Sequence, residues 1–440
     1  MATDAQIITA VIFIFTFILI ASEKLHRTTS ALFGAMLMII AGTVMGFYDT
    51  SKGFGAIDFN TIGLLLGMMI IVGVIMETGF FGYLAIKMAK IAKGDVWKII
   101  LMFVLATAGA SAFLDNVTTV LLMIPITVTI ANTLEIKATP LIMAEILASN
   151  IGGASTVIGD PPNIMIASYA DIPFLTFILN IGPIIIVTML VSVFLLKWMY
   201  KEDLKQKPKH VELLMERDEW KEIKNMPVLR KSMIVFGAVI VLFLVHHALY
   251  IPISVVALMG AITILVWAGI HPGDALQHVH WSTLFFFVGL FILVGGVVEV
   301  GIMDILAGGI EALTGGNLFV ALLFILWVSA FASTIMNNIP ATATMIPLIA
   351  ALAASPIYAT QLASFNVNPM WWALSIGACL GGNGSLVGAS ANLVAVGLSE
   401  KFGFPIGFRE FFTKAFPFML ITLFVATVLL MVSVGLQMIM

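Results

Sequence analysis

The chain has 440 residues, of which 61% are hydrophobic and only 10% charged, with a formal net charge of −3 at pH 7. A mean hydropathy of +1.11 excludes an ordinary soluble domain, and so small a net charge gives no ground for a nucleic-acid partner. The single cysteine, Cys379, excludes an intramolecular disulfide and a cysteine-rich metal centre.

From the N-terminus onward, apolar runs at 7–21, 31–47, 62–76, 174–196, 233–245, 253–270, 284–298 and 416–434 predict membrane-spanning helices. About 20 residues cross ~30 Å of hydrocarbon, and fewer suffice where flanking side chains snorkel or the bilayer thins. No segment shows the alternation of a membrane β-barrel strand. The first run has no basic leading region, and no small-residue cleavage site comes before Glu23-Lys24, so it reads as a span and not a cleaved signal.

Positive charge orients the spans. Lys24 and Arg27 separate the first two, and Lys87, Lys90, Lys93 and Lys98 follow the third. The one long hydrophilic stretch, 197–231, carries eight further Lys and Arg between Lys201 and Arg230. The positive-inside rule places all three in the cytoplasm and the N-terminus, with Asp4, outside.

Two polar breaks interrupt the apolar pattern and match across the halves. Leu114-Asp115-Asn116-Val117-Thr118-Thr119 leads to Pro125, and Met336-Asn337-Asn338-Ile339-Pro340-Ala341-Thr342 leads to Pro347. The separations agree: 338 − 116 = 222 and 347 − 125 = 222. Gly67 and Gly289, and Glu77 and Glu299, share that offset. A second pair of blocks, Gly152 to Asn163 and Gly381 to Asn392, is offset by 381 − 152 = 229, which places a gain of seven residues in the polar stretch 355–368. The predicted fold is an all-α polytopic membrane protein with inverted-topology repeats, two re-entrant hairpins and two broken helices. Its first repeat spans 1–199, a cytoplasmic linker 200–231, and the inverted second repeat 232–440. The hairpin 99–114 with its return through Pro125 opens on the cytoplasm, and its partner 318–349 opens outside. Such repeats place a solute site near the midplane, at their interface.

Non-helical backbone at membrane depth persists only where it is buried in protein or lines a cavity. Hairpin tips leave backbone N–H and C=O groups unpaired, ready for an ion or polar solute. Asn116, Thr118, Thr119, Asn337, Asn338 and Thr342 add neutral donors and acceptors there. In the glycine blocks, Gly152 allows close backbone approach, and Thr156 with Ser385 and Asn163 with Asn392 fall at equivalent positions. The alternative role for any one of them is to cap a broken helix.

Asp115 and Asp160 are carboxylates inside apolar, broken segments, and the other copy has Asn337 and Ala389 in their places. Intramembrane acids are candidates for proton relay or cation binding; the competing role is a helix cap or a structural pair with a lysine. Glu145, whose counterpart is Leu374, is a second proton candidate. Glu77, Glu299 and His246-His247 stand at span ends and read as interfacial. The chain has no GxxxxGK[ST] motif, so the expectation is a transporter without a cofactor and without its own ATP hydrolysis.

Three runs together, Leu114 to Thr119, Ser149 to Asn163 and Asn337-Asn338-Ile339-Pro340, resemble the ion transporter superfamily over the whole chain. The similarity is greatest to its arsenite/antimonite permease, sodium/proton antiporter and P protein branch. Related dicarboxylate/sodium symporters carry Ser-Asn-Thr at the hairpin tips. Here Asn116 and Asn338 match the Asn, Asp115 and Asn337 replace the Ser, and Val117 and Ile339 replace the Thr. Those symporters have Gly-Thr-Pro-Pro-Asn where this chain has Gly159-Asp160-Pro161-Pro162-Asn163. The resemblance implies an elevator-like movement of the hairpins against a scaffold. The added acids favour proton coupling over symport of sodium with a dianion.

The leading expectation is proton-coupled efflux of arsenite or antimonite across the inner membrane, with protons entering through Asp115. The solute is neutral As(OH)₃, met by Asn116, Thr119, Asn338 and Ser385. Sodium/proton antiport is the alternative, and transport of an organic or inorganic anion a further one. Docking of a soluble ATPase on 201–230 competes with that stretch being a solvated linker.

Overall fold

The computed structural model describes residues 3–22 and 24–439; Glu23, used above in weighing a cleavage site, lies outside the described residues. The first half runs α1 (Asp4–Ser22), α2 (Arg27–Met45), α3 (Thr50–Gly55), α4 (Phe59–Glu77), α5 (Phe80–Ile91), α6 (Val96–Ser111), α7 (Asn116–Thr133), α8 (Ala138–Gly153), α9 (Pro161–Tyr169) and α10 (Phe174–Met199). A polar segment with the short α11 (Val211–Glu216) follows. The second half runs α12 (Met226–Val245), α13 (Ile253–Ala268), α14 (Pro272–Leu276), α15 (Trp281–Glu299), α16 (Ile302–Thr314), α17 (Leu318–Met336), α18 (Asn338–Ala354), α19 (Pro356–Leu362), α20 (Met370–Gly381), α21 (Ser390–Lys401) and α22 (Phe408–Ile439). Among the described residues there are no strands, and nine helices are long and apolar enough to cross a membrane.

The repeat extends further than the sequence anchors. Helices α1 and α12 start 226 − 4 = 222 residues apart, α3 and α14 start 272 − 50 = 222 apart, and α4 and α15 agree at both ends. Helix α12 begins at Met226, six residues before the expected repeat boundary at 232. Asn225 caps α12 by accepting from the Val228 N–H at 3.1 Å, and Pro227 fits its first turn. Helix α19, meeting α18 at 88°, occupies the predicted seven-residue insertion.

Hydrogen bonds sort the helix ends onto two faces. The central segment meets the C-terminal ends of α4 and α7, since Lys224 N donates to Thr78 O and Lys209 N to Leu134 O, each at 2.9 Å. Thr28 donates to Ser282 O at 2.6 Å and so brings the starts of α2 and α15 together; His278 and Glu77 at 2.9 Å tie the turn before α15 to the end of α4. These ends form the loop face. On the far face Lys52 pairs with Glu299 at 2.6 Å, and Asn60 donates to Ser168 at 3.1 Å. Helix α4 thus runs from the far face to the loop face and α15 runs the other way, so the copies are inverted.

Helix α4 packs on α13 and its counterpart α15 on α2; α6 packs on α8 and its counterpart α17 on α20. Small residues allow these close crossings. A Cβ on Gly67 would stand 2.5 Å from the Ala257 carbonyl carbon, and one on Gly289 would stand 2.8 Å from the Ala31 carbonyl carbon. The α6–α7 hairpin has its open end at the loop face, where Lys197 lies over the Trp97 ring. The α17–α18 hairpin has its open end at the far face, where Leu318 N donates to Gln361 of α19.

Candidate functional site

Both hairpin tips are built by side chains capping backbone. Asp115 is the N-cap of α7: one carboxylate oxygen accepts from Thr118 N at 2.9 Å and the other from the Thr118 hydroxyl at 2.5 Å. Thr119 donates back to the Asp115 carbonyl at 3.0 Å. Asn337 has a φ of 81° and a ψ of 146°, outside the left-handed helical well and in a region that glycine adopts far more readily than other residues. Its amide oxygen accepts from Ile339 N, and its amide nitrogen donates to Val387 O and Ser390 Oγ. The Thr342 hydroxyl donates to Asn338 O at 2.8 Å.

The broken helices repeat one construction twice. Thr156 donates to Ala112 O and accepts from Gly159 N; Ser385 donates to Thr334 O at 2.5 Å and accepts from Gly388 N. The Asn163 amide donates to the carbonyls of Gly153, Ala154 and Thr156, and that of Asn392 to Gly382 and Ser385. Carbonyls freed by each break are thereby satisfied inside the protein, as unwound backbone within a membrane requires. Gly152 sits at the α6–α8 crossing, where a Cβ would stand 2.3 Å from Ala108 O.

Asp160 lies between the two tips. It is fully buried and accepts from Asn116 Nδ2 at 3.3 Å and from Asn338 Nδ2 at 3.0 and 3.2 Å. A network extends from there. Asn116 also donates to Asn150 Oδ1 at 3.1 Å, and Asn150 donates to Asn383 at 2.8 Å and Asn392 at 2.9 Å. Asn163 Oδ1 accepts from Ser375 at 2.7 Å and from the Cys379 thiol at 3.4 Å. Beside Asp160 lies a cavity of about 20 Å³, bordered also by Asp115, Ser390, Arg27 and His280, with room for one or two waters. Arg27 donates to Ser390.

Of the predicted residues, Asn116, Asn338 and Asp160 thus meet directly, and Asp115 borders their cavity. Asn337 approaches through Ser390. Thr118, Thr119, Thr156, Thr342 and Ser385 spend their hydroxyls on framing the breaks. Glu145 is separate: it is fully buried in α8, one oxygen accepts from Thr127 at 2.6 Å, and the other has no hydrogen-bond partner among the described residues. Sequence reasoning did not single out Asn150, Asn383, Ser375 or His280, and used Arg27 only for orientation. Asn150 and Asn383 stood inside the quoted motifs, and Asn150 has Cys379 as its counterpart (379 − 150 = 229), so matching polar pairs passes over it.

The architecture is that of a multi-pass membrane transporter. The crystal structure of the Alcanivorax borkumensis YdaH transporter shares the fold at a TM-score of 0.62 and 12% identity, over 94% of this chain and 99% of that one. Neisseria gonorrhoeae MtrF, described with a class of antimetabolite efflux pumps, does so at 0.62 and 13%, over 95% and 97%. Residues 17–377 match the citrate transporter family, CitMHS, and the chain belongs to that family. An uncharacterized transporter of Mycobacterium tuberculosis is 40% identical over 412 residues, 93% of this chain and 94% of that one. The P protein of Homo sapiens is 33% identical over 493 residues, 94% of this chain but 58% of that longer one. The superfamily resemblance, P protein branch included, therefore holds.

Proposed function

We propose that the protein is a proton-coupled secondary transporter that expels a small inorganic solute, arsenite or antimonite, across the cytoplasmic membrane. In this reading the loop face is cytoplasmic and the N-terminus outside. The observation that carries it is one buried carboxylate, Asp160, held by an asparagine from each hairpin tip. A proton on Asp160 changes the charge at the point where both tips meet, which ties proton occupancy to the arrangement of the hairpins. Asp115, with both oxygens engaged by Thr118, serves mainly as a cap, so the proton is assigned to Asp160 in preference to Asp115. Glu145 is a second proton station.

The solute is matched by Asn116 and Asn338, whose amides replace the water around a neutral hydroxide. Thr118, Thr119, Gly152, Thr156, Asn163, Thr342, Ser385 and Asn392 hold the broken backbone in place. Ser390, which accepts from Asn337, completes the rim. A tricarboxylate beside an ionised Asp160 would be repelled, whereas a neutral hydroxide would not. The buried carboxylate of Asp160 at the meeting point of the two tips supports a second reading, sodium/proton exchange, because carboxylate oxygens suit hard cations. The central segment packs on the protein's own helices, with Lys90 bonded to Glu219 at 2.6 Å and Lys224 to Thr78 O. That supports a linker over an ATPase dock.

Purified protein in liposomes, given a pH gradient and offered arsenite, sodium and citrate in turn, tests the proposal. Proton movement evoked by arsenite is expected. Movement evoked by sodium or citrate but not by arsenite would overturn the choice of solute.

A further inference from the structure

A chain of buried asparagines joins the two copies, and its orientation is forced from one end. Asn392 donates its amide hydrogens to two backbone carbonyls, Gly382 O and Ser385 O, each at 2.8 Å. A carbonyl can only accept, so the Asn392 amide oxygen must point the other way. There it meets Asn150, which donates to it at 2.9 Å and, with its second hydrogen, to Asn383 Oδ1 at 2.8 Å. Asn383 is set by the same rule, because its nitrogen donates to Leu147 O at 3.3 Å. Asn150, Asn383 and Asn392 are fully buried, so bulk water does not compete for these groups.

The constraint passes on to the solute site. With both hydrogens spent, Asn150 has its oxygen left for Asn116, and Asn116 donates to it at 3.1 Å. The other Asn116 hydrogen goes to Asp160 at 3.3 Å. The Asn116 amide oxygen is then the polar atom left for the cavity that this side chain lines.

The second copy lacks this chain. The counterpart of Asn150 is Cys379, whose thiol donates to Asn163 Oδ1 at 3.4 Å. Asn163 is in turn the counterpart of Asn392 (392 − 163 = 229), so the two bonds are equivalent. A thiol sulfur is a weak acceptor, and among the described residues the Asn338 amide donates to Asp160 alone. Asp160 by itself orients Asn338, whereas Asn116 is also held from behind.

We propose that Asn150 is the positioning residue of the solute site, locking the Asn116 amide with its oxygen toward the cavity. The tips then offer Asn116 Oδ1 and Asn338 Oδ1 to a solute that brings O–H donors or a positive charge. A carboxylate would meet oxygen against oxygen. Selection by this device rests on the solute-transport reading above.

Asn150→Cys tests it, because the second copy already accommodates a cysteine at the equivalent place. In protein carrying isotopic nitrogen on asparagine alone, the side-chain amide signal of Asn116 is identified by its loss in Asn116→Asp. Its exchange with water is expected to quicken about tenfold or more in Asn150→Cys, while the other asparagine side-chain signals keep their rates. Unchanged Asn116 exchange in the folded variant, or a general quickening of asparagine signals, would overturn the proposal. Affinity for arsenious acid, measured by calorimetry in detergent, is expected to fall about tenfold or more in Asn150→Cys. Added to Asn116→Ala, the same substitution is expected to cost nothing further. An unchanged affinity in the single variant, or an additive loss in the double one, would overturn the claim that Asn150 acts through Asn116. Wild-type protein that binds no arsenious acid would contradict the solute reading, and the exchange rates would still decide the inference.

Discussion

At the scale of single residues, the two intramembrane aspartates separate by what their oxygens do. Both oxygens of Asp115 bond within their own turn, to Thr118, whereas Asp160 is bonded by residues 44 and 178 positions away. Asn can take over a cap but not a proton-carrying role. Asp115→Asn is accordingly expected to keep at least half of gradient-driven flux, while Asp160→Asn loses it; parallel flux assays on the two variants compare them. Glu145 gives a stability prediction. Thr127 is the sole hydrogen-bond partner of its carboxyl among the described residues, so Thr127→Val should cost about 1–3 kcal/mol, read as a lowered midpoint of thermal unfolding in detergent.

Sequence showed some of these residues and hid others for physical reasons. Asn116 and Asn338 were visible because each lies at a helix break and the breaks recur at one offset. The approach of Asp160 to both was not visible, since it depends on how two oppositely inserted hairpins close on a broken helix. Arg27 and His280 reach the cavity from separate helices, and no local pattern marks such a residue. Asn150 was masked because the copy opposite has a thiol in its place.

At the scale of elements, the inverted pairs α4–α13 and α2–α15 depend on bare glycine surfaces. Gly289→Val would drive a side chain into the Ala31 backbone and is expected to cost about 1–3 kcal/mol, seen as loss of the monodisperse folded peak in size-exclusion chromatography. Hairpins, broken helices and the α19 insertion were all legible, because polar breaks and glycine blocks interrupt long apolar runs. Helix α12 extends back to Met226, ahead of the apolar run at 233–245, because its first turn is polar and carries a proline, which resembles linker. The central segment also carries a pH dependence. The Lys90 ammonium holds the Glu219 carboxyl below its ordinary value, so their pairing stabilises docking fully above the ordinary carboxyl range and is lost as pH falls below it. Hydrogen exchange in 203–225 should quicken selectively in acid, after correction for intrinsic rates.

At the scale of the whole molecule, the described helices form two inverted copies whose hairpin tips enter from opposite faces and close on one carboxylate. Symmetry accounts for the shared asparagines, and departures from symmetry account for the acids. Asp115, Glu145 and Asp160 are opposed by Asn337, Leu374 and Ala389, so all three candidate proton groups lie in the first copy. A doubled frame with a single-copy charge suits a transporter in which solute geometry is common to both faces and proton exchange differs between them. The most direct test of this account is proton–solute exchange by oriented liposomes carrying wild-type protein or Asp160→Asn. The account predicts arsenite-evoked proton movement in the wild type and none in a folded Asp160→Asn variant. Undiminished proton movement in that variant would contradict it.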